Sequence, residues 1–562
     1  MKRLSKYHIL PAVLLIAFGA VLGVQLNTYL SDDDLGKQLE KMKEALVVIN
    51  KRYVDPLEAS EVAQEGVKGM VNSLDPHSTY IPADQADDVK DQYQGSFGGI
   101  GIVFEVPEDT ARVISPVAGG PSEDVGVMAG DRIVKIEGAS AVGMGSNEIQ
   151  NSLKGEVGTK VQMTIYRPTL DEQRTFTLTR EKIETQSVRS SYMVDEKTGY
   201  IDVTRFTMKT HEEFQEASKK LLDRGMERLV LDLRGNPGGV MRTSWQIANE
   251  MLGEQMTIVE TKGRSDRMNR EINAKPGGLL REEPIIVLVD RGSASASEIL
   301  SGALQDHDRA FLVGRRTFGK GLIQKQYDLG DESVLQMTVG RYYTPVGRLI
   351  QSPYERGGDR ENYYEEKFST INEATYHLNE YRESIPDSLA YETDHGRTVF
   401  GGGGILPDYV VQPDTTALTH LVTRGLDYAF ARKYFSENET DLRGQWQERS
   451  GEFKATFETS EDMLDQFWSF AEKNSDITIT QDPDSVNAAE QIYSERTAQK
   501  EEGFVATRIK GYMARLLYGR GVARPILNQA DPVFQEAISL WPSSRELAAY
   551  HSAAPRSTVR EN

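Results

Sequence analysis

Hydrophobic positions recur along this chain with different periods. Ile9–Val24 is an almost continuous apolar run, preceded by Lys2, Arg3 and Lys6. Leu35, Leu39, Met42, Leu46, Ile49 and Tyr53 then return at four-three spacing, which predicts an amphipathic helix. Asp32–Asp34 stand where carboxylates complement its N-terminus. Such a stripe reads as core or as a dimer seam. A second helix is predicted over Ala59–Leu74, stopped by Leu74-Asp75-Pro76-His77-Ser78, in which His77 reads as structural. From Ser96 to Pro168 the pattern becomes β-rich. Gly98-Gly99-Ile100-Gly101-Ile102 opens it, alternation follows through Phe104, Ala129-Gly130-Asp131-Arg132-Ile133 comes later, and Val161–Arg167 reads as a strand.

The next stretch alternates strands and helices. Tyr200–Phe206 is strand-like, Thr210–Arg224 has helical spacing, and Arg228–Leu233 is a buried-strand run. Arg234-Gly235-Asn236-Pro237-Gly238-Gly239 breaks it, and a helix resumes at Val240. A second apolar run, Ile285–Val289, ends in the turn Asp290-Arg291-Gly292, followed by Ser293-Ala294-Ser295-Ala296-Ser297 and a helical pattern from Glu298. Ser352–Arg397 is polar and reads as a surface insertion. Helical patterns return over Leu418–Phe435, Ser460–Lys473 and Phe504–Leu517, where Val505, Ile509, Tyr512 and Leu516 share a face. An acidic linker lies near Asp482–Asp484, and a polar tail follows Pro542. The last helices read equally as a cap on the preceding core or as a dimer or adaptor surface.

Composition narrows the function classes. With 562 residues the chain has room for several domains. A formal charge of −20 argues against nucleic acid as the main partner. The absence of cysteine removes thiol catalysis, disulfides and thiolate metal sites. The eight histidines are scattered without metal-ligand spacing, so no metal or other cofactor is expected. The basic start and apolar run have the form of an export signal. Val21-Leu22-Gly23 is a fair cleavage site, and the run is short for an anchor, so both outcomes stay open. Either one puts the remainder outside the cytoplasm.

The chemistry lies in a strand that turns into a helix at a serine. Free N–H groups at a helix start favour developing negative charge. A serine needs a base. Gly319-Lys320-Gly321 follows about two dozen residues later in a strand-like stretch, and Gln324 lies an even number of residues beyond Lys320, on the same face of an extended strand. A lysine acts as base only when burial or a neighbouring cation lowers its pKa. Taken singly, these strings are a helix start and a surface cation. Asp306-His307-Asp308 offers a competing Ser-His-Asp arrangement, but His307 ends the helix that Ser295 begins, roughly 18 Å away.

SASASE followed by GKGLIQ resembles the carboxy-terminal processing peptidases (tail-specific proteases), as do LDPHS, LRGNPGG, the stretch from Arg341 to Gln351 and GGGGILPD at Gly401–Asp408. The likeness covers roughly Leu35–Asp408. It implies Ser295 as nucleophile, Lys320 as general base and Gln324 as its orienter, with oxyanion N–H groups from Gly238 or Gly239 and from Ala296. GGIGI with GDRI resembles a PDZ domain, which implies that Gly98, Gly99, Ile100, Gly101 and Ile102 form a carboxylate-facing loop beside a groove for an added peptide strand. The implied fold is multidomain α/β: a signal peptide or membrane anchor over 1–30, a helical N-terminal region over 31–90, a β-rich PDZ domain over 91–180, a crotonase-like α/β catalytic core over 181–415 with its polar insertion 352–397, and a helical C-terminal region over 416–562. The implied activity is a periplasmic or other extracytoplasmic serine endopeptidase acting on protein or peptide substrates with free C-termini. An adaptor protein, a homodimer and, if the first segment is uncleaved, the inner membrane are its expected partners. The resemblance further implies that the PDZ domain gates the active site. The competing class is a PDZ-bearing scaffold or chaperone that holds tails without cutting them.

Overall fold

The computed structural model describes residues 33–545, apart from 107–108, 118, 169, 413–420, 476 and 481–490. The export segment, the acidic linker, the end of the polar tail and the start of the helix expected from Leu418 lie outside the described residues. The chain divides into two compact units, one of residues 1–83, 326–337 and 355–358, the other of residues 84–325, 338–354 and 359–562.

The first unit holds the helices Asp33–Arg52 and Ala59–Asn72 and the short strand Thr79–Ile81, which pairs antiparallel with residues 334–336. Asp75 explains the LDPHS string. Its Oδ1 accepts the N–H groups of His77 and Ser78, and its Oδ2 accepts the Ser78 hydroxyl at 2.6 Å. The apolar stripe of the first helix is not core in this chain. Leu35 and Tyr53 are 59% and 58% exposed, and Leu39, Met42 and Ile49 are exposed with them.

In the second unit, residues 96–184 form a β-rich module. Its sheet runs in the order Ile102–Glu105, Ala111–Pro116, Arg132–Ile136, Lys160–Arg167, Glu172–Thr179, all antiparallel, over a core that includes Val113, Ile133, Ile149, Met163 and Ile165. The GDRI string is explained by Asp131, which is buried and receives two 2.7 Å hydrogen bonds from Arg167.

The central sheet follows, with six strands in chain order: β1 Val188–Met193, β2 Thr198–Val203, β3 Arg228–Asp232, β4 Ile285–Val289, β5 Ala310–Gly314 and β6 Tyr409–Val410. The first pair is antiparallel and the rest are parallel. Strands buried on both faces carry unbroken apolar runs, as Ile285–Val289 does. Alternate residues point to opposite faces. Leu229, Leu231, Ile285, Val287 and Leu312 pack beneath the helices α1 Thr210–Asp223, α2 Met241–Asn249 and α3 Ala296–Asp306. Val230, Ile286 and Leu288 face Phe534, Ala537 and Trp541 from the end of the chain. The C-terminal region thus caps the core through its helix Pro532–Ser539. Before it, helices between Leu426 and Lys473 and between Glu495 and Leu527 make a module with an aromatic core, which includes Phe430, Phe453, Phe467 and Trp468.

The insertion departs from expectation. It is not simply a surface loop, because its helix Arg360–Tyr376 buries Tyr363, Lys367, Ile371 and Ala374.

Candidate active site

Strand β4 delivers the chain to Asp290, whose Oδ1 accepts the N–H of Gly292 at 2.9 Å and that of Gly235 at 2.8 Å. One carboxylate therefore shapes the turn after β4 and ties it to the loop after β3. Ser293 adds a second tie, its hydroxyl donating to the Leu233 carbonyl at 2.8 Å. Asn236 adds a third, its carbonyl accepting the Ala294 N–H at 3.0 Å and the Ser297 hydroxyl at 2.9 Å. Ser293 and Ser297 are fully buried and their hydroxyls are engaged, whereas Ser295 between them keeps partial exposure.

Ser295 precedes the first residue of α3 with φ 55° and ψ −110°, a conformation that a non-glycine residue rarely adopts. Such a backbone costs about 1–3 kcal/mol and persists only where the surroundings hold it. Two groups hold it here. Glu298 Oε2 accepts the Ser295 N–H at 2.8 Å, and the Tyr342 hydroxyl donates to the Ser295 carbonyl at 3.0 Å.

The same two groups hold Lys320. Glu298 Oε2 also accepts the Lys320 N–H at 2.9 Å, and the one proton of the Tyr342 hydroxyl is shared between the Ser295 and Lys320 carbonyls. Glu298 Oε1 takes the Gly319 N–H and the Thr317 hydroxyl, each at 2.6 Å. Burial pushes the Glu298 carboxyl above the ordinary carboxylate range, while Thr317 and the backbone donors pull it back. All four neighbours are donors, so the ionised carboxylate is the form this site accommodates. Lys320 lies in an irregular segment just before the strand Leu322–Asp328 and not within it. Its amine still donates to Gln324 Oε1 at 2.7 Å.

The glycine loop after β3 supplies backbone to the same place. Gly238 has φ 92°, and a Cβ there would lie 2.8 Å from Ser295 Cβ and 2.9 Å from the Ala296 nitrogen. The missing side chain keeps that nitrogen, at the first position of α3, open. Gly238's own N–H is engaged by Asn236 Oδ1 at 2.9 Å. Phe206 donates to the Gly238 carbonyl, and Val240 donates to the Phe206 carbonyl. Between them Gly239 sits in a parallel bridge that directs its own N–H away from Phe206. Of the two glycines expected as oxyanion donors, Gly239 is the one left available.

His307 sits at the far end of α3. One ring nitrogen meets Asp394 Oδ2 and the other the Thr257 carbonyl, both at 2.7 Å. Burial lowers its pKa, but Asp394 and the carbonyl hold it above the ordinary value. Both nitrogens are thus engaged away from Ser295.

The expected peptide loop is partly strand. Ser96–Gly99 pairs antiparallel with Glu181–Glu184, which places Gly98 and Gly99 opposite Lys182 and Glu181. Gly98 is needed because the Gly155 carbonyl crosses 2.1 Å from where a Cβ would stand. The loop proper is Ile100–Gly101, whose carbonyls accept from Ser122 and Val117. It leads into Ile102–Glu105, an edge strand of the module's sheet.

Sequence reasoning missed Glu298, Asn236 and Tyr342. Glu298 follows Ser295 by three residues, the spacing of a capping box, and that signal was available. Tyr342 had no local signal.

Family comparisons match peptidase family S41 over residues 197–355, a PDZ domain over 98–179, the N-terminal domain of the activating protease CtpB over 23–85, and a family of unknown function over 417–519. The carboxy-terminal-processing protease of Bartonella bacilliformis is 37% identical over 329 residues, 58% of this chain and 74% of that one. A carboxyl-terminal-processing protease of Picosynechococcus is 38% identical, covering 52% of this chain and 71% of its own length. CtpB, the carboxy-terminal processing protease of Bacillus subtilis, is 30% identical, covering 57% and 67%. The chain belongs to the carboxy-terminal processing protease family, serine-type peptidases of family S41, and carries a PDZ domain.

Proposed function

We propose that this chain is an exported endopeptidase that recognises protein C-terminal tails through its PDZ domain and cleaves them with a Ser-Lys dyad. The supporting observation is the shared carboxylate of Glu298, which binds the N–H groups of both Ser295 and Lys320. In this reading Ser295 Oγ attacks the scissile carbonyl and Lys320 accepts its proton, with Gln324 aiming the amine. The oxyanion is received by the N–H groups of Gly239 and Ala296, each such donor contributing roughly 3 kcal/mol in the transition state. Lys320 returns the proton to the departing amine, leaving an acyl-enzyme, and then activates the water that releases it.

The tail enters as an added strand on Ile102–Glu105 with its carboxylate toward Ile100–Gly101. Export follows from the N-terminal segment, cleaved or retained as an inner-membrane anchor. Among the described residues no helix is long and apolar enough to cross a membrane. The exposed stripe of Asp33–Arg52 is the seam of a homodimer in this reading, and the helical C-terminal module is where an adaptor docks.

Hydrolysis of an unfolded protein with a free C-terminus, measured across pH for wild type, Ser295→Ala and Lys320→Ala, tests the chemistry. Both variants should lose on the order of 10⁴-fold or more while staying folded. Activity surviving in Lys320→Ala would remove the lysine as base. No cleavage by wild type would favour a tail-binding scaffold.

A further inference from the structure

The insertion helix Arg360–Tyr376 lies beyond the stretch that matches the peptidase family, which ends at residue 355. Its buried face packs on the segment that carries Lys320. That segment, Gly319–Gly321, stands outside the strand Leu322–Asp328, so side chains rather than a sheet ladder take its three N–H groups. Glu298 takes those of Gly319 and Lys320, at 2.6 and 2.9 Å. Gln351 Oε1 takes that of Gly321 at 3.0 Å. A glycine on each side gives Lys320 no stiff neighbour, so what grips the segment from outside sets where its backbone lies.

The grip on the far side from Glu298 leads into the insertion. Gln351 is buried, and both ends of its amide are engaged. Its Nε2 donates to the Ser352 carbonyl at 2.9 Å and to the Tyr363 hydroxyl at 3.2 Å. The same hydroxyl accepts from Lys367 Nζ at 2.9 Å, and that amine also donates to the Gly319 carbonyl at 3.3 Å. One hydroxyl on the insertion helix thus connects to the residue on either side of Lys320, to Gly321 through Gln351 and to Gly319 through Lys367. Aromatic packing fixes the helix on the segment. The Phe318 ring has Lys367 Nζ 3.5 Å from its centroid, with the Tyr364 and Phe368 rings at 6.4 and 6.5 Å.

We propose that Tyr363 and Gln351 are positioning residues for hydrolysis: through them the insertion helix holds the Lys320 backbone where its side chain can take the proton of Ser295. This rests on Lys320 being the base.

The test is kcat and KM on an unfolded protein substrate, with melting curves, for the full-length wild type, Gln351→Met, Tyr363→Phe, the double variant and Lys320→Ala. Gln351→Met removes the acceptor of the Gly321 N–H at similar volume. Its kcat should fall about 10- to 100-fold at unchanged KM, because a displaced base costs rate and not binding. Tyr363→Phe removes only the hydroxyl and should lower kcat about 3- to 10-fold, again at unchanged KM. The two residues act through one chain of hydrogen bonds, so the double variant should lose less than the product of the single losses. An unchanged kcat in Gln351→Met, or a raised KM in place of a lowered kcat, would overturn the proposal. Losses that multiply in full would mark two separate packing defects and overturn it as well. If Gln351→Met does not melt cooperatively, Tyr363→Phe decides: a lowered kcat at unchanged KM supports the proposal, and any other result overturns it. Activity in Lys320→Ala would instead sink the assignment of the base. Inactivity of Lys320→Ala with a wild-type kcat in Gln351→Met would sink only the role of the insertion.

Discussion

At the scale of single residues, the site depends on backbone held in costly conformations by a few buried polar side chains. Gly238 gives the sharpest prediction. A methyl group there would meet the Ala294 carbonyl at 2.6 Å as well as Ser295 and the Ala296 nitrogen, at a φ that disfavours any side chain. Gly238→Ala should lower kcat by about 10²- to 10³-fold, the usual cost of losing an oxyanion donor. Tail binding to the PDZ domain should be unchanged, which fluorescence anisotropy of a labelled tail peptide would check. Ser295, Lys320 and Gln324 were legible because each lies in a short string with its own local logic. Glu298 was legible in principle, three residues after a helix-starting serine. Tyr342 and Lys367 were not, because a tyrosine or lysine in a polar string gains meaning only when distant elements close on it. That Gly98 and Gly99 stand in a paired strand was hidden for a related reason. A glycine forced by a crossing backbone looks, in sequence, the same as a glycine forced by a turn.

At the scale of elements, the buried strands Arg228–Asp232 and Ile285–Val289 were legible almost to the residue, since burial on both faces of a parallel sheet leaves a continuous apolar signature, whereas the helix Glu495–Tyr518 begins nine residues before the expected Phe504. What covers the second face was hidden, because Phe534, Ala537 and Trp541 sit far along the chain in an ordinary amphipathic pattern. The end of β3 shows how that distant segment is tied in. Asp232 is fully buried, and its Oδ2 accepts from Arg234 at 2.7 Å, Arg524 at 2.6 Å and the Tyr200 hydroxyl at 2.7 Å. Burial alone would raise its carboxyl, yet Arg234 and Arg524 hold it well below the ordinary carboxylate range. The folded pKa is depressed, so the stabilisation is fully present above the unfolded value of about 4 and is lost as pH falls below it. Asp232→Asn should cost about 3 kcal/mol at neutral pH, because Arg524 loses its 2.6 Å carboxylate partner while Arg234 keeps only Asp531. It should also flatten the acid limb of stability below about pH 4. Urea melts of both proteins at several pH values would check this, and an equal acid limb in the two would contradict it.

At the scale of the whole second unit, the helical module joins the PDZ domain to the catalytic sheet. Arg112 on the PDZ strand Ala111–Pro116 reaches Ser436 at 2.8 Å and Glu439 at 3.4 Å. Ile114 of the same strand belongs to the module's own aromatic core. Glu105 accepts the Tyr428 hydroxyl at 2.6 Å. From the other end of the module, Arg524 reaches Asp232 at the start of the glycine loop after β3. Removing the PDZ domain outright would therefore uncover apolar core, and its effect on rate would mix gating with damage. Arg112→Ala cuts the joint more gently, since Glu439 keeps Arg443 at 2.9 Å. The loss should be about 1–2 kcal/mol, the cost of a buried hydrogen-bonded contact. Hydrogen exchange in Ala111–Pro116 should then rise by roughly tenfold, with exchange in β4 unchanged. Gating through this joint further requires that hydrolysis of a short peptide change in rate in the same variant. A loosened strand with an unaltered rate would leave the PDZ domain as a tail-binding module and place control of Ser295 within the catalytic unit.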